Sequence, residues 1–297
     1  MIYDIRHRTT FTYEDVVSVS HHVLHLAPRR HRRQRCLSSE MLIDPAPAID
    51  SSGEDYFGNP VHYLTVQEPH ERLVVESRAR VEVLSNGAAL DLGTSKPWEE
   101  VRELLAEGAA DDLLLQTYEF TFDSPYSTGN DDVHDYALQS FVPGRPILEA
   151  AMDLTTRIYD EFEYRGGVSD VSTPVRDVFA MRKGVCQDFA HLEIACLRSL
   201  GLAARYVSGY LLTHPAPGKE KLVGSDASHA WLSVWSAEAG WVDFDPTNNM
   251  IPDLEHVTVG WGRDYGDVSP INGFIVGGGA HQVSVAVDVN PVSSAAG

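Results

Sequence analysis

The chain has 297 residues, 43% of them hydrophobic, which gives room for one large or two modest domains with ordinary cores. Its 43 acidic residues against 23 basic ones leave a formal charge of −20, which repels nucleic acid and anionic membrane surfaces and excludes both as expected partners. No stretch approaches the roughly 20 apolar residues of a bilayer span, no signal peptide is visible, and Cys36, Cys186 and Cys196 are too few for a disulfide framework, so a cytoplasmic, reduced protein is expected.

Residues 1–90 carry alternating apolar and polar runs at Ile2 to Tyr13, Val16 to Leu26, Val61 to Gln67 and Leu73 to Leu84, broken by Pro, Gly, Asn and Asp. Period-2 runs between turn residues predict an antiparallel β domain, sandwich-like, closing at Ser85-Asn86-Gly87. The basic run from Arg29 to Arg35 is expected as a solvated loop between strands, the alternative being a site for a phosphate or an acidic partner, and His21, His22 and His25 as surface residues of a strand with no metal. From Pro97 the pattern turns helical, with Pro97 in a first turn where its missing N–H costs little. Further helical segments follow at Asp132 to Phe141 and, past Pro143-Gly144-Arg145-Pro146, at Ile147 to Phe162. Residues 91–146 thus read as a helical connector.

In residues 147–297 a helix is expected to start near Cys186, because Phe189, Leu192, Cys196 and Leu200 fall at helical spacing and Ala190, Ile194 and Leu197 widen the apolar face until Gly201 stops it. Such a helix is largely buried. A strand is expected over Ala204 to Leu212, then two more around the loop Ser236 to Gly240. If that turn pairs Trp235 with Trp241, Trp231 stands opposite Asp245 and His229 lies on the diagonal, roughly 7–8 Å away at the backbone and within reach of the carboxylate. Asp264 to Gly273 reads as a polar, turn-rich loop, Gly277-Gly278-Gly279 as a turn, His281 to Val289 as a last strand, and Ser293 to Gly297 as a short small-residue tail. Helices with an antiparallel sheet make the fold class α+β.

Cys186 follows Gly184 at the helix junction, where unpaired N–H groups and the positive end of the helix dipole favour a thiolate and can hold an oxyanion. His229 offers a general base and Asp245 a carboxylate to orient it, in the chain order Cys, His, Asp. The second oxyanion donor is sought upstream, with Tyr164 as the candidate. Asp188 and His191, at i and i+3, are read as a structural pair or solvent contacts. Cys36 and Cys196 are read as buried small hydrophobes, and Trp231, Trp235 and Trp241 as packing for the sheet. His191-Leu192-Glu193 lacks the Cys-x-x-Cys of a zinc deaminase, so no metal and no cofactor are expected.

Gly184 to Cys186, His229 to Trp231 and Asp245 to Thr247 resemble the G-x-C, H-[AV]-W and D-P-T motifs of the transglutaminase-like superfamily. Ile2 to Tyr13, Asp55 to Asn59 and Gly262 to Pro270 resemble its bacterial branch. The resemblance implies a papain-like core, with a helix bearing the cysteine packed on an antiparallel sheet bearing His and Asp. It implies an N-terminal β domain over 1–90, the connector over 91–146, and a catalytic core with the C-terminal strands over 147–297. It also implies a thiol enzyme that acts on peptide or glutamine amide bonds through a Cys186-His229-Asp245 triad and a thioester, by hydrolysis or acyl transfer. No calcium-loop pattern supports a calcium-activated crosslinker. The competing reading is a non-catalytic peptide-binding or scaffold protein of the same fold.

Overall fold

The computed structural model describes residues 1–85, 90–108, 112–213 and 227–292. Five strands open the chain: β1 (Ile2–Leu24), β2 (Gln34–Asp44), β3 (Ile49–Glu54), β4 (Pro60–Val66) and β5 (His70–Val83). Four helices follow, α1 (Trp98–Glu107), α2 (Asp112–Tyr118), α3 (Asp131–Leu138) and α4 (Ile147–Glu161). The chain continues through β6 (Glu163–Tyr164), α5 (Val175–Met181), β7 (Lys183–Gly184), α6 (Cys186–Ser199), β8 (Ala204–Leu211), β9 (Ala227–Ser236), β10 (Gly240–Phe244) and β11 (His256–Gly262). It ends with α7 (Tyr265–Val268), β12 (Ile271–Gly277) and β13 (His281–Pro291).

The expected β region is present, but its first two runs are one strand. Along β1, Tyr3, Ile5, His7 and Thr9 are buried while the residues between them are not, which is the alternation of a half-buried strand. The pairing with β5 shifts register between Thr12 and Val17, and there β1 changes partners. Its first half lies between β5 and β13, its second between β4 and β12. One apolar cluster, with Tyr13, Leu24, Leu64 and Leu73, packs within this sheet. Another joins Tyr3, Val81 and Val287 to Tyr210 and Val257 of the second sheet. The expected closure at Ser85-Asn86-Gly87 and the tail Ser293 to Gly297 fall partly or wholly outside the described residues.

The second sheet runs β10-β9-β8-β11, all antiparallel. The helix α6 packs on it with Phe189, Leu192 and Ile194 buried. Even Arg198 of α6 is buried, which lowers its pKa to about 10. Its guanidinium donates to the carbonyls of Phe120, Ala204 and Arg263 and to Ser124 and Ser127, so one residue ties a loop, a strand start and a strand end together. No helix among the described residues is long and apolar enough to cross a membrane.

Five expectations change. The C-terminal strands β12 and β13 pair with β1 and so belong to the N-terminal sheet, not to the 147–297 core. The 91–146 segment is no mere connector, because Trp98, Val101, Phe120, Val133 and Tyr136 share one apolar cluster with α6. The loop expected over Asp264 to Gly273 holds α7 and the start of β12. His22 and His25 are buried rather than superficial, and burial, with His70 and His21 adding to it, drops the pKa of His22 to about 4. The basic run is the expected loop between strands with Arg30, Arg32 and Arg35 exposed, but part of it packs on the second sheet. Arg29 stacks 3.5 Å from the Trp261 ring, and the Gln34 amide bonds the Thr258 carbonyl at 2.7 Å.

Candidate active site

Cys186 is placed by the segment before it. Arg182, at φ 54°, ends α5 in the left-handed region, and the chain then forms the short parallel pair β6 and β7, in which Tyr164 stands beside Gly184. A Cβ on Gly184 would lie 2.8 Å from the Asp188 side chain, so glycine is what lets the strand close onto the first turn of α6. The Asp188 carboxylate accepts the Val185 N–H at 2.8 Å and the Ser169 hydroxyl at 2.5 Å. This caps the helix on which Cys186 is the first residue. Burial raises the Asp188 pKa, and the two hydrogen bonds oppose that rise. Cys186 itself is half-buried.

The Trp235–Trp241 register predicted from the loop is found, with Asp243 opposite Ser233 and Phe244 opposite Leu232. His229 and Asp245 meet as a result: Nε2 of the buried imidazole lies 2.7 Å from Asp245 Oδ2. The Asp-Pro-Thr segment folds back so that Asp245 pairs with Met250, with Asn249 left-handed at φ 51°. In that turn Asp245 Oδ1 accepts the N–H groups of Thr247 and Asn248. The Asn248 amide donates to Oδ2 at 2.7 Å.

Burial disfavours the charge on both members of this pair, and their partners outweigh it. Hydrogen bonds from His229 and His256 hold Asp245 well below the usual carboxylate range despite its burial. Burial likewise pulls the His229 pKa down, but the bond to Asp245 and the nearby Cys186 bring it up to about 10. The imidazole is thus bonded to the carboxylate, with the thiol near enough to bear on its pKa. The arrangement can move a proton between sulfur and ring while the carboxylate fixes the tautomer.

Sequence reasoning missed His256. It comes from β11 and sets Nε2 3.0 Å from the same Asp245 oxygen, with the Trp231 ring edge-on against it. Nothing local marks it, because β11 reaches Asp245 only through the sheet. His229, Asp245 and His256 present ligand atoms within 4.8 Å of one another, a metal-compatible grouping that spacing along the chain does not reveal. In this structure both imidazole Nε2 atoms are spent on hydrogen bonds to the carboxylate.

The other candidates fall in different places. Tyr164 is largely exposed, its hydroxyl pKa raised by burial of the ring and then by the nearby Cys186. Asp188 and His191 do not pair, since His191 accepts the Tyr265 N–H at 3.1 Å and its ring packs on Tyr206. Burial raises the thiols of Cys36 and, far more strongly, Cys196. Trp231 and Trp235 are buried in the sheet as expected, whereas Trp241 faces a cavity.

Residues 136–246 match the transglutaminase-like superfamily, and residues 3–82 match the bacterial transglutaminase-like N-terminal region. The chain belongs to the transglutaminase-like superfamily. An uncharacterised protein of Mycobacterium tuberculosis is 44% identical to it over 97% of this chain and 92% of that one. A protein-glutamine gamma-glutamyltransferase of Pseudomonas aeruginosa is 36% identical over 77 residues, 26% of this chain and 12% of the relative. Among solved structures, a candidate cysteine protease from Cytophaga hutchinsonii superposes with a TM-score of 0.76 at 22% identity, over 99% of this chain and 91% of that one. That likeness shows the superfamily fold, including the N-terminal sheet.

Proposed function

We propose that this chain is a thiol enzyme of the superfamily that cleaves or transfers amide bonds of peptides or proteins, with Cys186 as nucleophile, His229 as acid and base, and Asp245 as the orienting carboxylate. The observation that supports this reading is the 2.7 Å bond from His229 to Asp245, with Cys186 at the first residue of α6 near enough to the imidazole to raise its pKa. His229 takes the thiol proton as sulfur bonds the carboxamide carbon and the carbonyl electrons move onto oxygen. The backbone N–H groups at the start of α6 are the donors positioned to receive that oxyanion. The oxyanion collapses, the C–N bond breaks, and the imidazolium gives its proton to the departing amine, leaving a thioester. Water or an amine then attacks the thioester while His229 accepts its proton, the C–S bond breaks and the thiol is restored.

Hydrolysis and transfer share every step but the last nucleophile. The matched segment of the Pseudomonas relative keeps amine transfer beside hydrolysis in this proposal, and the cytoplasm is the compartment we assign. The test is a panel of glutamine-containing peptides with and without a primary amine, with products weighed by mass spectrometry. A deamidated, cleaved or amine-coupled product from the wild type and none from Cys186→Ala is expected. Full turnover by Cys186→Ala would remove the mechanism.

A further inference from the structure

The basic run and the second sheet enclose a cavity of about 210 Å³ far from neutral in character. Its guanidinium, Arg205 of β8, is stacked between two indoles, 3.8 Å from the Trp261 ring and 4.4 Å from the Trp241 ring. Burial lowers the Arg205 pKa to about 9. The one hydrogen bond of that side chain is a long one, 3.4 Å from Nε to the Ser233 hydroxyl, and it forms no ion pair among the described residues. Its two terminal nitrogens form no hydrogen bond among the described residues, on a side chain that is half-buried. Arg32 and Arg33 line the same cavity. The acid there, Asp243, is engaged by the Ser233 hydroxyl and lies 3.5 Å from Arg33. Three guanidinium groups against one carboxylate make a positive enclave in a chain of formal charge −20.

We infer that this cavity is a binding site for a small oxyanion, a carboxylate or a phosphate, seated on the fork of Arg205 with Arg32 and Arg33 closing over it. A planar fork of parallel N–H donors matches both groups, and a partly desolvated one binds them more strongly than a surface lysine does. The indole walls fix the guanidinium plane in advance, so little side-chain freedom is lost on binding. The volume suits a small anion or one terminal group, not a length of chain.

The test is calorimetric titration of the whole chain at constant ionic strength with inorganic phosphate, with succinate, and with a short peptide bearing a free or an amidated C-terminus, chloride being the background. One-to-one binding of at least one probe is expected, and the ranking of phosphate, succinate and free-carboxyl peptide identifies the source. Arg205→Gln should weaken it at least about tenfold, because the charge-assisted pair is lost. Arg32→Gln, at an exposed position, should weaken it roughly threefold. Arg30→Gln, in the same run but outside the cavity, should leave it unchanged. Absence of binding by every probe, or unchanged affinity in both Arg205→Gln and Arg32→Gln, would leave the stacked arginine as interdomain packing only and overturn the inference.

Discussion

Asp245 keeps its charge in a buried site because five donors converge on it, two from its own turn's backbone, one from Asn248 and two from histidines. Asp245→Asn keeps the shape and removes the charge that supports an imidazolium, so kcat/KM should fall on the order of 10³–10⁴-fold with little loss of fold. Asp243→Asn is the control, since Asp243 bonds Ser233 and faces Arg33, and its rate should stay within a few-fold of wild type. Inactivation by Asp243→Asn alone would move the third member of the triad. In the proposed mechanism His256 serves Asp245 as a positioning residue, its Nε2 3.0 Å from the carboxylate. His256→Leu should cut kcat by about tenfold at steady KM, and His256→Gln, which restores an N–H donor, should recover most of it. Iodoacetamide at neutral pH should label Cys186 well before Cys36 or Cys196, read by peptide mapping, because burial raises both other thiols. Equal labelling of all three would count against Cys186 as the nucleophile.

At the scale of elements, the close approach of β7 to α6 depends on one missing side chain. Gly184→Ala puts a methyl against Asp188, which must give up its bonds to Val185 and Ser169 or push α6 back. The expected cost is about 1–3 kcal/mol in denaturant unfolding, with a larger proportional loss of activity because Cys186 moves. Unchanged activity would mean that the turn yields without moving the thiol. The elements legible beforehand were those whose determinants are local. The β9–β10 hairpin followed from a short loop and alternation, and α6 from helical spacing closed by Gly201. The partners of β12 and β13, the place of the Arg29 to Arg35 run and the role of His256 were hidden, because each is decided by pairing with strands far away in the chain. Composition read the run as solvated, while stacking on Trp261 and hydrogen bonds to Thr258 buried part of it.

Across the whole molecule, stability should depend on a group that takes no part in the proposed chemistry. Glu193 of α6 is fully buried, with only the Thr155 hydroxyl on one oxygen. Burial raises its pKa from the ordinary 4.5 to about 8, Thr155 opposes this and Asp245 adds to it. Between those values the unfolded chain has released a proton that the folded chain keeps. This contribution is therefore complete below pH 4.5, declines as pH rises and is level above about 8. His229 extends the decline, being full below its ordinary 6.5 and lost as pH passes about 10. Urea unfolding of Glu193→Gln should flatten the slope between pH 5 and 8 by on the order of a few kcal/mol. An identical slope would show that Glu193 is ionised in the fold.

The pairing of β1 with β13, from Tyr3 against Pro291 to Tyr13 against His281, sets the order in which the protein can be completed. Of the two long neighbours of β1, β5 comes soon after it in the chain and β13 comes after the whole second sheet. Until then the β1 edge is bare along eleven residue pairs while the whole Cys-His-Asp region is synthesised behind it. A nascent chain halted before β13 would present that row of unpaired N–H and C=O groups to any extended segment nearby. Pairing with β13 covers that edge.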